Sequence, residues 1–153
     1  LLEHLVSILA GAGVRAAVIK HDGHEFEADV PGTDSHRMKK AGAFGTVVYS
    51  GTRFALVKDQ AGLEARDFFG YFPEADILLL EGQKNSAYPK IEVLRQEISC
   101  SPVCSPETVL AYVADCQVSQ QGSREPRQVF AFDQLDEVAE LAIHHMDAVF
   151  FKN

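Results

Sequence analysis

The stretch ADILLLEG, residues 75–82, constrains the fold more than any other part of the chain. Its four consecutive aliphatic residues, Ile77 to Leu80, leave no polar face, so a strand formed here must be covered on both sides. VRAAVIK (14–20) has the same character and stops abruptly at Lys20. TVLAYVAD (108–115) is a third such run. Strands of this kind alternating with helices imply an α/β fold: a mainly parallel sheet with helices on both faces. ADILLLEG is expected to be the most buried of the strands.

Between these runs the pattern changes period. LLEHLVSILAGAG sets Leu2, Leu5, Val6 and Leu9 at helical spacing, with Gly11 and Gly13 where a helix ends. DSHRMKKAGA predicts a second helix from Thr33 or Asp34, with Asp34 or Ser35 near its start and Gly42 near its end. TVVYSG and RFALVK predict a short antiparallel hairpin turning at Gly51 and Thr52. GLEARDFFGYF is moderately helical, and YPKIEVLR is a strand with Ile91, Val93 and Arg95 on one face. CQVSQQGSREPRQ is a polar loop and VFAF a short strand. DQLDEVAELAIHHM predicts a closing helix capped by Asp133, with Val138, Leu141, Ala142 and Ile143 inward.

The 153 residues, 46% of them hydrophobic, suffice for one domain (1–153) with a core that needs no staple. No apolar run approaches the ~20 residues that cross a bilayer and no signal peptide is visible, so the expectation is a soluble cytoplasmic protein without membrane partners. Three cysteines, Cys100, Cys104 and Cys116, are an odd count and are expected to be free thiols. A net charge of -8 opposes binding to a nucleic-acid backbone.

Ligands of open parallel sheets gather at the carboxyl ends of strands. Lys20 and His21, Glu81 and Gly82, and Asp115 all stand just past such ends and are expected along one edge. An acid after an aliphatic strand suits magnesium, or a water attacking a γ-phosphate. The loop IKHDGHEFEADVPGTDS (19–35) adds His21, His24 and several carboxylates. Asp29 and Asp34 flank VPGT, where Pro31 and Gly32 predict a sharp turn that aims both acids back at the strand ends. His21, Asp22 and His24 also allow zinc, on an irregular spacing that carries little weight. Arg37, Lys39 and Lys40, with Lys84 and Lys90, form a basic patch suited to an anion or to plain solvation. His144 and His145 need no function beyond a helix C-terminus.

VIKHDGHEFEADVPGTDSHRMKKAGA, followed by ILLLEGQK and PKIEVLR, resembles the molybdopterin-guanine dinucleotide biosynthesis protein B family, MobB, over essentially the whole chain. The resemblance implies a P-loop NTPase-like (Rossmann-like) fold. It also implies GTP and Mg2+ as cofactors, weak GTPase activity and homodimers. The family assists the guanylyl transferase MobA in molybdenum-cofactor maturation, with molybdopterin itself a further candidate ligand. Carried over by position, Lys20, His21 and His24 belong to the nucleotide loop. Asp29, Gly32, Asp34 and Ser35 fall on a DxPGxDS motif facing phosphate and magnesium, and Glu81, Gly82 and Lys84 on an EGxK motif. Asp29, Asp34 and Glu81 are thereby the metal acids, Glu81 the catalytic one, and Asp115 a candidate contact to guanine.

Thr33 stands where the family usually has Lys, and a guanine-reading NKxD motif is missing. The family's GxxxxGKT loop, its main phosphate cradle, is absent too. The uncapped start at Leu1 predicts a chain truncated at its N-terminus, with the sheet opened where the preceding strand would lie. Two alternatives stay open: a metal-binding or metal-delivery module, and a catalytically silent interaction domain.

Overall fold

The computed structural model describes residues 1–120 and 125–150. Helix α1 spans Leu2–Gly11 and buries Leu5 and Leu9, one helical turn apart. Ala12 N–H donates to Ile8 O, and Gly13, at φ +79°, donates to Ala10 O, which together close the helix end. Leu1 stands at the N-cap and gives no side-chain cap. Helix α2 (Asp34–Lys40) is capped by Thr33, whose extended backbone lets its hydroxyl accept from His36 N–H. The cap is therefore Thr33, one residue before Asp34, and Gly42 at φ +105° follows the helix. Residues Ala65–Tyr71 form a 3-10 segment closed by a Glu64/Asp67 capping box. Helix α3 spans Leu135–Phe150. It begins two residues after Asp133: Gln134 O accepts from Val138 N–H at 3.3 Å, and Gln134 Oε1 reaches back to Ala131 N–H at 2.9 Å.

Strands β1 (Ala16–Lys20) and β4 (Ile77–Glu81) pair in parallel. Strands β5 (Lys90–Leu94), β6 (Val109–Ala114) and β7 (Gln128–Phe130) form a second parallel group in that order. Strands β2 (Gly45–Tyr49) and β3 (Phe54–Lys58) are the antiparallel hairpin, closed by Ser50 N–H on Arg53 O at 2.7 Å. Residues 121–124 of the polar loop before β7 lie outside the described residues.

The core forms where α1 and α3 meet the face of β6 and β7 that carries Ala111, Val113 and Phe130. Leu9 and Val138 are fully buried there, each worth roughly 1.5–3 kcal/mol relative to exposure. Tyr112 and Ala114, pointing the other way as strand alternation requires, join Leu94 and Val109 in a smaller cluster. Strand β6, paired on both sides, is thus the most buried strand, not β4. The reason is an opening in the sheet: among the described residues, β4 and β5 each have one rim without a strand partner. A largely apolar slot of about 740 Å³ lies there, lined by Ile77 and Leu79, Ile91 and Val93, and by Leu2 and Leu5 of α1. Residues 77–80 are therefore half-buried. Edge strand β1, expected to be covered on both faces, leaves Val18 40% exposed.

The cysteines also differ from expectation. Cys100 and Cys116 are disulfide-bonded, because the turn after β5 returns to the carboxyl end of β6 and brings their Cα atoms to 6.1 Å. Cys104 alone is a free thiol.

Candidate functional site at the carboxyl ends of β1 and β4

Parallel register sets the site. Lys20 pairs with Glu81 as the last residues of their strands, and Lys20 Nζ lies 3.6 Å from Glu81 Oε2 with both side chains largely in solvent. His21 N–H donates to Glu81 O at 2.9 Å and carries the pairing one residue past the strand. Gly82 then turns away at φ +81°, and a Cβ on it would meet His21 O at 2.5 Å. A glycine is thus required at this rim on both conformational and steric grounds. The register is pinned from the opposite end by Arg15 and Asp76. The Arg15 side chain donates bidentately, Nε to Asp76 Oδ2 at 3.0 Å and an outer guanidinium N–H to Oδ1 at 2.8 Å, while Arg15 N–H also meets Oδ2 at 2.8 Å. These bonds hold the Asp76 carboxyl at about 2.

The loop ahead of α2 makes a separate cluster. Thr33 N–H closes a turn on Val30 O at 3.3 Å, with Pro31 and Gly32 (φ +89°) in the middle as a type II turn demands. Asp29 Oδ1 accepts from Val30 N–H at 2.9 Å and from Thr33 Oγ1 at 3.2 Å, and Ser35 Oγ lies 3.3 Å from Thr33 Oγ1. Hydrogen bonding from Ser35 above all, then from Val30 N–H and Thr33, holds the Asp29 carboxyl below the usual range, against partial desolvation. Asp34 is paired with Arg37. Both acids are thus engaged with their own segment, not aimed at the strand ends. Among the described residues no hydrogen bond or ion pair ties this turn to Glu81. His24, whose N–H and ring both face Asp22 Oδ1, is 94% exposed. No three His, Cys, Asp and Glu side chains gather to hold a metal among the described residues, so a zinc set of His21, Asp22 and His24 is not assembled.

The expected basic patch is divided. Arg37 is committed to Asp34 and Lys39 to Asp59. Lys90 is half-buried and its ammonium donates to Gln83 O, Lys84 O and Ser86 O at 3.4, 3.3 and 2.6 Å. It therefore holds the 83–86 loop instead of facing solvent, while Lys84 itself is exposed. Asp115 is exposed at the end of β6, and its Oδ1 accepts from Gln96 N–H at 2.7 Å.

Glu92 was missed in the sequence. It is 6% exposed, its Oε1 accepts from Val103 and Cys104 N–H at 2.6 and 3.2 Å, and its Oε2 has no partner. The signal was available: in KIEVL the acid occupies the same strand face as Leu94, which is a buried position.

A parallel α/β sheet carrying a lysine–carboxylate pair and a constrained glycine at the carboxyl ends of its strands defines an open-sheet α/β protein with its ligand edge at those ends. Residues 1–115 match the family model described as molybdopterin guanine dinucleotide synthesis protein B, and the chain belongs to that MobB family. It is 36% identical over 100 residues to the molybdopterin-guanine dinucleotide biosynthesis adapter protein of Escherichia coli K12, covering 62% of this chain and 57% of that protein. To the adapter protein of Haemophilus influenzae it is 33% identical over 102 residues, 65% of this chain and 57% of the relative. The matched stretch thus spans little more than half of each curated relative. The crystal structure of Bacillus subtilis MobB superposes with a TM-score of 0.67 at 25% identity, covering 92% of this chain and 88% of that one. A MobB homolog from Bacillus stearothermophilus shares the fold with a TM-score of 0.64 at 18% identity, over 96% and 88% of the two chains.

Proposed function

We propose that this protein is a GTP-binding accessory protein of molybdopterin guanine dinucleotide biosynthesis, with weak GTPase activity, assisting the guanylyl transferase MobA in the cytoplasm. The observation that carries the reading is the Lys20–Glu81 register. It brings two motif segments distant in sequence onto one strand-end rim, with Gly82 locked beside them.

In this assignment Glu81 orients the attacking water, and Asp29 and Asp34 would join it as oxygen ligands to magnesium only by turning from their partners Val30, Thr33 and Arg37, since the three acids are not gathered among the described residues. Lys20, His21, His24, Gly32, Ser35, Gly82 and Lys84 face the phosphates, and Asp115 the guanine. Magnesium would neutralise phosphate charge. The protein's own part is to hold the acids ionised, as the hydrogen bonds around Asp29 do. The Escherichia coli relative is named a molybdopterin-guanine dinucleotide biosynthesis adapter protein, which supports the accessory role.

The hairpin supports a homodimer. Val47, Val48, Tyr49 and Phe54 are 55–81% exposed on β2 and β3, a concentration of apolar surface that a second copy would cover. Among the described residues no helix is long and apolar enough to cross a membrane. Calorimetry with GTP and magnesium on the protein expressed from its complete gene, beside single-turnover hydrolysis, tests the assignment. Glu81→Ala is expected to lower hydrolysis at least tenfold while changing Kd less than threefold. Equal losses in both would remove Glu81 from the chemical step.

A further inference from the structure

The segment after β5, residues 95–104, is fastened to the sheet at both ends by noncovalent contacts. Arg95 lies over the Phe132 ring at 5.0 Å from its centroid, and Gln96 N–H meets Asp115 Oδ1 at 2.7 Å. At the far end, Val103 and Cys104 N–H reach Glu92 Oε1. In the middle, Ile98 and Ser99 N–H bond only back to Arg95 O among the described residues, and Ile98 is 83% exposed. The covalent tie of that middle is Cys100 to Cys116, the residue next to Asp115. Both cysteines are half-buried, so part of each residue lies at the surface. Cys104 packs against the same small cluster as Cys116. Its thiol is pushed up by burial, and further by Glu92, which keeps it protonated and out of exchange.

We propose that Cys100–Cys116 is a reversible thiol switch that sets the order of the 95–101 turn over Asp115. Oxidation by glutathione disulfide balances as follows. The Cys100 thiolate attacks one sulfur and releases a glutathione thiolate. The Cys116 thiolate then attacks Cys100 sulfur and releases the second. Two protein thiols become one disulfide, and glutathione disulfide becomes two glutathione thiols. Reduction by a dithiol runs the same exchange in reverse. Oxidised, the turn holds Gln96 N–H on Asp115 and fixes the carboxylate. Reduced, the turn is free to leave. The consequence for nucleotide affinity rests on Asp115 contacting guanine, whereas the order of the turn does not.

Hydrogen exchange with mass spectrometry on the wild-type protein tests this without any variant. Amides 96–101 are expected to exchange at least tenfold faster after dithiothreitol than after glutathione disulfide, reversibly, with β6 unchanged. Cys104→Ser should keep the difference, and Cys100→Ser should show the fast pattern under both conditions. Equal exchange of the two wild-type states, or a mapped disulfide containing Cys104, would overturn the switch. Failure of the protein to bind GTP would leave this readout intact and would count only against the nucleotide assignment.

Discussion

Replacing Gly82 with alanine combines two costs that, among the described glycines, coincide at this rim alone. At φ +81° a side chain costs about 1–2 kcal/mol by backbone crowding alone. Here the new Cβ would also fall 2.5 Å from His21 O, a backbone atom held by the β1–β4 pairing, so the rim itself must move. Displacing packed backbone adds roughly 1–3 kcal/mol, for a total of about 2–5 kcal/mol. The entropy that alanine removes from the unfolded chain offsets about 0.4–1 kcal/mol of that. Gly13, at φ +79° with nothing within 4 Å of its Cβ position, isolates the backbone term and should cost about 1 kcal/mol. Gly51, with open space and no such φ, should change stability by less than about 0.5 kcal/mol. Urea unfolding of the three variants is the assay. For a chain of this size the net Gly82→Ala loss of about 1–5 kcal/mol corresponds to a Tm drop of about 2–20 °C. A Gly82→Ala variant no less stable than Gly13→Ala would refute the claim that Gly82 and His21 are pressed together.

Glu92→Leu leaves the N–H groups of Val103 and Cys104 without an acceptor and should cost about 2–5 kcal/mol in urea unfolding, whereas Glu92→Gln keeps an oxygen there and should cost much less. Equal costs would contradict the bonding described. Asp76 has its folded pKa lowered from 3.8 to about 2, so its contribution is complete above about pH 4 and is lost as pH falls from there through 2. Asp76→Asn should flatten that acid limb in urea titrations at successive pH values, and an unchanged limb would dismiss the Arg15 pairing as a stabilising contact. By hydrogen exchange, β6, paired on both sides, should be the best protected strand, ahead of β4, which is paired on one rim only. Equal protection would mean that the slot between β4 and β5 is closed in solution.

Periodicity and punctuation were enough to read most of the fold. Leu5 and Leu9 at helical spacing, the Gly51–Thr52 turn and the aliphatic runs at 16–20 and 77–80 each became the element their pattern implied. What misled was burial. Four aliphatic residues promise a covered strand only if neighbours exist on both rims, and the open slot beside Ile77 to Leu80 removes one. Cap choice between Thr33 and Asp34 turned on a single extended backbone, which composition does not encode.

The rim was legible because strand-end residues are fixed by strand length, and Lys20 and Glu81 share one register. The direction of the Asp29 and Asp34 carboxylates was not. Short-range donors, Thr33 and Val30 N–H for one and Arg37 for the other, captured them locally. Lys90 was misassigned for a related reason: a lysine at the head of a strand can bend back onto carbonyls of the preceding loop. The disulfide required two cysteines 16 residues apart to meet across the end of β6, a tertiary fact.

The most direct test of the rim as an anion site is calorimetric titration of magnesium and GTP into the protein expressed from its complete gene, alongside Lys20→Ala. Binding by the wild type, weakened at least tenfold by Lys20→Ala with the Tm changed by less than about 2 °C, is the expected result. Absence of any nucleotide binding by the folded wild type, or identical affinity of the two proteins, would contradict it.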